Sequence, residues 1–339
     1  MADVTYTVPN KNGSYDGDMV VKQYTSLTVN AGDTISVDQP NRGLMLLVQG
    51  DCTINGTISM KGRGGNGNPT ASGGSDSNTV DANGLRMPFH TTGGSSSLTA
   101  ANTLFNGTGN DARSVLANFR TIVSSGTIVQ LVRQGANGGG GTNQVTAGTP
   151  GNNGTTGQTG GGGDGGRGYI AVQGDGSYGS CWAGGSGGGG ANGNSARADD
   201  AVAFAGAGGD GETDHSASCT GGCGNPSGNN DVTDGSGANS QGGCGGLIIL
   251  VVGGNVTIGS NGLITAVGSD SGACSGGNSW HASGGASGGG NIVIAHRGTY
   301  TNNGTVTAAG GTSGTVASYT YSKRGGNGGN GSVQVLQVL

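Results

Sequence analysis

Residues 246–268, GLIILVVGGNVTIGSNGLITAVG, decide the fold. They spell an apolar run, a tight turn and a second short run, followed by glycine. The same order returns at 291–311, NIVIAHRGTYTNNGTVTAAGG, and at 43–65, GLMLLVQGDCTINGTISMKGRGG. Overlaid, the copies bring Thr53, Thr257 and Thr301 together, then Ile54 and Ile258, then Gly56, Gly262 and Gly304, then Ile58, Ile264 and Val306. The leading apolar runs suit strands covered on both faces, although periodicity alone also admits a short buried helix. The second runs alternate, as in Thr305, Val306 and Thr307, which suits a half-buried strand. The Asn-Gly pairs 55–56, 261–262 and 303–304 are expected to supply the positive φ of a tight turn. A last strand is expected over 332–339.

Working outward, the fold class is mainly β: strand repeats, β-helix-like or a layered β-framework. Glycine accounts for 81 of 339 residues, about three times ordinary usage. Charged residues are 10% and aromatics 4% of the chain, and glutamate occurs once, at Glu212. This excludes large helical domains. With hydrophobic residues at 31%, side-chain burial alone cannot order so long a backbone. Net charge is −5 without a basic cluster, so the positive stripe that displaces counterions from nucleic acid is missing. The beginning MADVTYTVPN has neither the charged nor the apolar region of a secretion signal. No apolar run approaches the roughly 20 residues that span a membrane. The chain reads as soluble and made in a cytosol, and work outside the cell would require that it be carried there as part of a particle.

Three regions follow from composition. Residues 1–66 form a β head, with turns at 30–33 and 40–41. Residues 67–134 read as an insertion. Within it NDARSVLANFRTIVSS, 110–125, predicts one short helix, capped by Asn110 or Asp111, with Val115, Leu116, Phe119 and Val123 on one face. TIVQLVRQG, 127–135, predicts a strand. Residues 135–339 carry the glycine runs, such as GGGGDGGRG (160–168), GGSGGGGANGN (184–194) and GGNGGNG (325–331), interleaved with the strand repeat. With 6 prolines and no strict Gly-X-Y period, collagen is excluded. The alternatives are irregular loops or an array of polyproline-II helices. In such an array, chains without Cβ atoms approach closely and bond through N–H···O=C and Cα–H···O contacts.

The head sequence YTSLTVNAGDTISV…NRGLMLLVQGDCTINGTISMKGRGG, within 24–65, resembles the start of glycine-rich tail proteins of tailed phages. The interrupted glycine runs resemble the receptor-binding adhesins at the tips of phage long tail fibres. In that family a sandwich of glycine-rich polyproline-II helices presents variable loops to the host. The runs here are less regular and the chain is longer. The resemblance implies a virion component, partnered by other tail proteins and by a host surface receptor, glycan or outer-membrane protein. The head would dock to the tail. Strand edges need cover, so a homo-oligomer, trimer first, is expected. The alternatives are a structural decoration or filament subunit, which would repeat head to tail through 332–339, and a polysaccharide-degrading tailspike.

An enzyme is not expected. A glycosidase needs two carboxylates flanking a cleft, and no pair stands out. The Gly-x-Gly-x-x-Gly matches are chance products of composition without a βαβ context. Scarce aromatics between glycine runs are the candidate receptor contacts: Tyr178, Trp182, Phe204, Trp280, His281, Tyr319 and Tyr321. For Trp182 and Trp280 the competing reading is a plug at the end of the glycine bundle. Asp210, Glu212 and Asp214, in GDGETDH, are a weak candidate Ca²⁺ loop without the twelve-residue EF-hand frame; a solvated acidic loop is the simpler reading, and no other cofactor is expected. Cys181, Cys219, Cys223, Cys244 and Cys274 are candidate disulfide cysteines of undefined pairing, favoured over a zinc site. Cys52, inside a repeat, is expected to be a packed thiol.

Overall fold

The structure, a computed structural model, describes residues 3–11, 17–65, 135–139, 147–163, 176, 179, 182–185, 187–188, 217–218, 243–271, 275–276, 283–315 and 324–337. Within them the protein is mainly β, its strands pair in parallel apart from one short antiparallel pair, and no residue is helical. The helix expected at 110–125 and the strand expected at 127–135 fall outside the described residues, except Gly135.

Short strands follow one another around three sides and then repeat. β1 (Val4–Tyr6) comes first. A coil follows: β2 (Val20–Tyr24), β3 (Leu27–Val29) and β4 (Thr34–Val37). The next coil is β5 (Leu44–Val48), β6 (Cys52–Ile54) and β7 (Thr57–Ser59). After β8 (Ala217–Ser218), the third is β9 (Leu247–Val252), β10 (Val256–Ile258) and β11 (Leu263–Thr265). After β12 (Ser275–Gly276), the fourth is β13 (Asn291–His296), β14 (Tyr300–Asn302) and β15 (Thr305–Thr307), and β16 (Ser332–Gln337) lies beyond it. Like sides stack. The sheets run β16-β13-β9-β5-β2, β14-β10-β6-β3 and β1-β4-β7-β11-β15. The repeat read from sequence is the register of these sheets, since Thr257 faces Thr53 on one side and Thr301 on the other, and Ile264 faces Ile58 and Val306.

Two expectations need correction. Each copy holds three strands rather than two, because Gly253 and Gly254 turn a corner between β9 and β10. The Asn-Gly pairs, moreover, have no positive φ: among described residues it occurs at Asn10, Gly32, Gly43, Gly62, Gly157 and Gly243. Glycine is required at 56, 262 and 304 by close stacking instead. A Cβ on Gly304 would overlap the carbonyl oxygens of Gly262 and Gly259, and one on Gly262 would overlap that of Ile54.

Alternate residues of the three sides point inward and fill one apolar interior: Leu44, Leu46 and Val48, then Ile248, Leu250 and Val252, then Ile292 and Ile294, against Val29, Ile35, Ile54, Ile58, Ile258 and Ile264. The β1–β2 end of this interior is finished by polar and aromatic groups. The hydroxyls of Tyr6 and Tyr24 bond each other, Lys22 Nζ lies 5.0 Å from the Tyr6 ring centroid, and Val8 is buried. At one corner the Asn255 amide donates to Asp51 Oδ1 (2.7 Å) and the Thr299 amide to Asn255 Oδ1 (2.8 Å), so a side-chain ladder runs from coil to coil.

The glycine segments are ordered differently. Bonds recur every third residue: Gly148, Gly151 and Gly154 donate to the carbonyls of Arg324, Asn327 and Asn330. Gly160 and Gly163 donate to Gly289 and Ala286, and Gly185 and Gly188 to Gly160 and Gly163. Segment 158–163 bonds five neighbours, namely 135–139, 148–154, 182–188, 283–290 and 324–331. A β-strand points its amide groups to two sides only, so this packing is not a sheet. Close approach accompanies it. A Cβ on Gly160, Gly161 or Gly163 would overlap a neighbouring carbonyl oxygen, on Gly329, Asn137 and Gly326 respectively.

Candidate functional site: the outer end of the glycine array

Each glycine segment has a direction, fixed by its bonds to segments that join the coils. Segments 243–246, 283–290 and 324–331 run inward to begin β9, β13 and β16, whereas 266–271 and 308–315 run outward from β11 and β15. Segment 135–139 runs outward, since Ala136 bonds Thr159 and Gly139 bonds Gly162. Segments 158–163 and 182–188 also run outward, while 148–154 runs inward alongside 324–330. Gly176 packs beside Gly162 and Gly179 bonds Ala136, so Gly179 lies nearer the coils than Gly176.

The consequence is geometric. Residues 139, 163, 188, 271 and 315 leave the array at the end remote from the coils, and residues 147, 176, 243, 283 and 324 return there. Every long interruption of the glycine sequence beyond residue 139 opens at that one end. The inner end is closed tightly, as at 155–158, where the Gln158 amide donates to the Thr155 carbonyl (2.9 Å) and Gln158 Oε1 accepts the Thr155 amide (3.0 Å) and hydroxyl (2.6 Å).

Side chains reappear where glycine stops. Ser271 Oγ donates to the Gly284 carbonyl (2.7 Å) and accepts the Gly314 amide (2.8 Å). Ser283 Oγ accepts the Gly325 amide (3.0 Å). Asp270 Oδ1 accepts both the amide (2.6 Å) and the hydroxyl (2.7 Å) of Thr312, and Arg324 donates to the Ser313 carbonyl (3.1 Å). This belt fixes the points at which the interruptions depart. Sequence reading passed over it, because isolated Ser and Asp residues in glycine-rich sequence carry no spacing signal. Strands β8 and β12 pair antiparallel, joining the interruption after 188 to the one after 271. Among the described residues no three His, Cys, Asp or Glu side chains are grouped to hold a metal ion.

Of the candidates named from sequence, Tyr178, Phe204, Trp280, His281, Tyr319 and Tyr321 lie outside the described residues. So do Asp210, Glu212 and Asp214, and Cys181, Cys219, Cys223 and Cys274. Trp182 is described, and it is not an exposed stacking platform. It is 3% exposed at the junction of coil and array, with the guanidinium carbon of Arg42, itself 1% exposed, 4.9 Å from a ring centroid. A buried cation over an indole face is favourable because the ring quadrupole replaces part of its lost hydration. The plug reading of Trp182 is the one its surroundings fit. Cys244, grouped with the disulfide candidates, is a free buried thiol. Burial pushes it up to about 12, and burial also pushes Cys52 in the coil interior up to about 12. Neither thiolate is available near neutral pH.

Compared with protein-family models, with curated proteins and with solved structures, the chain matches none of them.

Proposed function

We propose that this protein is a receptor-binding adhesin of a virion tail, a phage tail-fibre or tail-tip protein that attaches to its host without covalent chemistry. In this reading the glycine segments are a bundle of polyproline-II helices. Three residues per turn account for bonds at every third residue and for five neighbours around one segment. The coil region docks to other tail proteins, and the outer end of the array faces the host.

The observation that carries the proposal is the common end at which the interruptions leave and return. A catalytic cleft needs a few groups held at fixed separation. A receptor-binding surface instead needs variable chain presented side by side on a rigid base, and a backbone-bonded array is such a base. Phe204, Trp280, His281, Tyr319 and Tyr321 belong to the stretches that depart from this end, and they are the proposed contacts. Binding of fluorescent purified protein to a panel of bacterial cells tests this. The paired change Trp280→Ala with His281→Ala is expected to weaken saturable binding at least tenfold, and a coil-surface change such as Lys61→Ala to leave it alone. Equal binding by both variants, or no saturable binding to any cell, would sink the adhesin reading.

One observation favours the structural alternative, a virion decoration or filament subunit. On β16, Val333 and Val335 continue the inward columns of Ile292 and Ile294, yet they are 41% and 39% exposed. A strand from another subunit, added to that edge, would cover them. Trimeric assembly through the strand edges belongs to the same question, and light scattering at several concentrations measures it.

A further inference from the structure

We propose that two copies of this chain join through β16, edge to edge and antiparallel, around a two-fold axis at Gln334. β16 is the last strand of its sheet, and among the described residues no strand pairs with its outer side. The Ser332 amide donates to the Gly290 carbonyl (3.2 Å), on the β13 side. Successive residues of a strand turn their amide and carbonyl to opposite sides, so Val333 and Val335 turn theirs to the open edge. Their side chains end two inward columns, Val20, Leu44, Ile248, Ile292, Val333 and Lys22, Leu46, Leu250, Ile294, Val335. Ile292 and Ile294 are fully buried, whereas Val333 and Val335 are 41% and 39% exposed. No charge or proline along Ser332–Gln337 blunts this edge, as natural edge strands usually require.

The occupant follows from the far ends of the same columns. A second copy stacked head to tail would set its β2 on β16, and the register would carry Lys22 onto Val335. At the β2 end, Lys22 Nζ lies 5.0 Å from the Tyr6 ring centroid, and the Tyr6 and Tyr24 hydroxyls bond each other. Head-to-tail stacking would disrupt that closure and bury an ammonium against valine, which is costly without a counter-charge. The β16 edge fits its own like instead. With the axis at Gln334, Val333 of each copy stands opposite Val335 of the other, in a pair that exchanges both N–H···O=C bonds. The open backbone groups are then paired, and the valines of both copies are covered. The contact is isologous and small, so the dimer is expected to form at micromolar rather than nanomolar concentration. The dimer rests on the strand-addition reading of this edge and is independent of what the outer end binds.

Sedimentation velocity of the full chain across the micromolar range tests this, with circular dichroism to show that each variant folds. The parent is expected to sediment as a dimer at the upper end of the range and to dissociate on dilution. Val335→Lys and Val333→Glu should each raise the dissociation constant about 100-fold or more, since each sets a charge opposite valine in the covered row. Combined on one chain, the two changes should restore much of the affinity, because each introduced carboxylate then faces an introduced ammonium across the axis. A dimer indifferent to Val335→Lys, or a double variant no tighter than the single ones, would overturn the antiparallel register. Assembly beyond the dimer, as a trimer or a growing filament, would overturn the two-fold contact yet leave strand addition standing. A parent that stays monomeric throughout would sink both.

Discussion

The coil and the glycine array are two answers to one problem, the entropy lost when a backbone is fixed. In the coil, apolar side chains from three sides meet inside, and strands align so that like residues stack, as Ile58, Ile264 and Val306 do. In the array what is buried is mostly backbone, with small side chains such as Ala286, Ser283 and Ser287. There the absence of Cβ atoms lets carbonyl oxygens sit where side chains would otherwise project, and amides find partners on several sides. The coil tolerates changes that keep an inward residue apolar. The array tolerates almost no side chain at its inner positions, because the clash is with backbone that cannot rotate away. Order can therefore come from filling a space or from leaving no space to fill.

The largest effect that would break this comparison is Gly160→Ala. Its Cβ would overlap the Gly329 carbonyl, so a loss beyond about 4 kcal/mol, in the range reserved for severe core lesions, is expected in urea unfolding. A near-neutral result would show that the array yields and that its close approach is not what holds it. Next comes Ile264→Ala in the coil interior, at 0% exposure, expected to cost about 2–5 kcal/mol as a cavity. If it proved costlier than Gly160→Ala, the ranking of the two regions would reverse.

Alkali sharpens the comparison through one thiol in each region. Cys52 and Cys244 are raised from 9.0 to about 12 by burial, so the unfolded chain loses these protons first. Stability is then fully present below pH 9 and falls as pH rises from 9 towards 12, by about 1.4 kcal/mol per thiol at pH 10. Urea midpoints at pH 8 and pH 10 measure the fall, and Cys52→Ala or Cys244→Ala should each remove about half of it. The smallest effect is expected from Val335→Lys at the open end of the inward column on β16, where the side chain is already 39% exposed, within about 0.5 kcal/mol on stability. Light scattering would show whether the same change dissociates an assembly built on that edge.

The coil was legible in sequence because its repeat is carried by side chains. Thr257 and Thr301 coincide in an alignment because they are neighbours in a sheet. The strand count was misread where Gly253 and Gly254 turn a corner, since glycine pairs look alike whether they end a repeat or bend it. The array was legible as composition but not as arrangement. Which glycine lies beside which depends on segments far apart in the chain, such as Gly160 beside Gly289 and Gly185, and glycine has no side chain to record that. The common outer end was invisible for the same reason. The two readings of Trp182 stayed level in sequence because its neighbour, Arg42, lies 140 positions earlier, and only the fold brings them together.

β5 and β9 are adjacent in their sheet, with Leu47 opposite Val251, although most of the array's chain lies between them. Contacts this distant in sequence slow folding, because a long loop must close before the pairing rewards it. On a ribosome, the coils of β2–β7 can form while the later chain is still being made. Their β5, β6 and β7 edges then stay open until residues 247–265 emerge. That interval is the protein's hour of greatest exposure to aggregation, and it should lengthen with every residue added to the outer stretches.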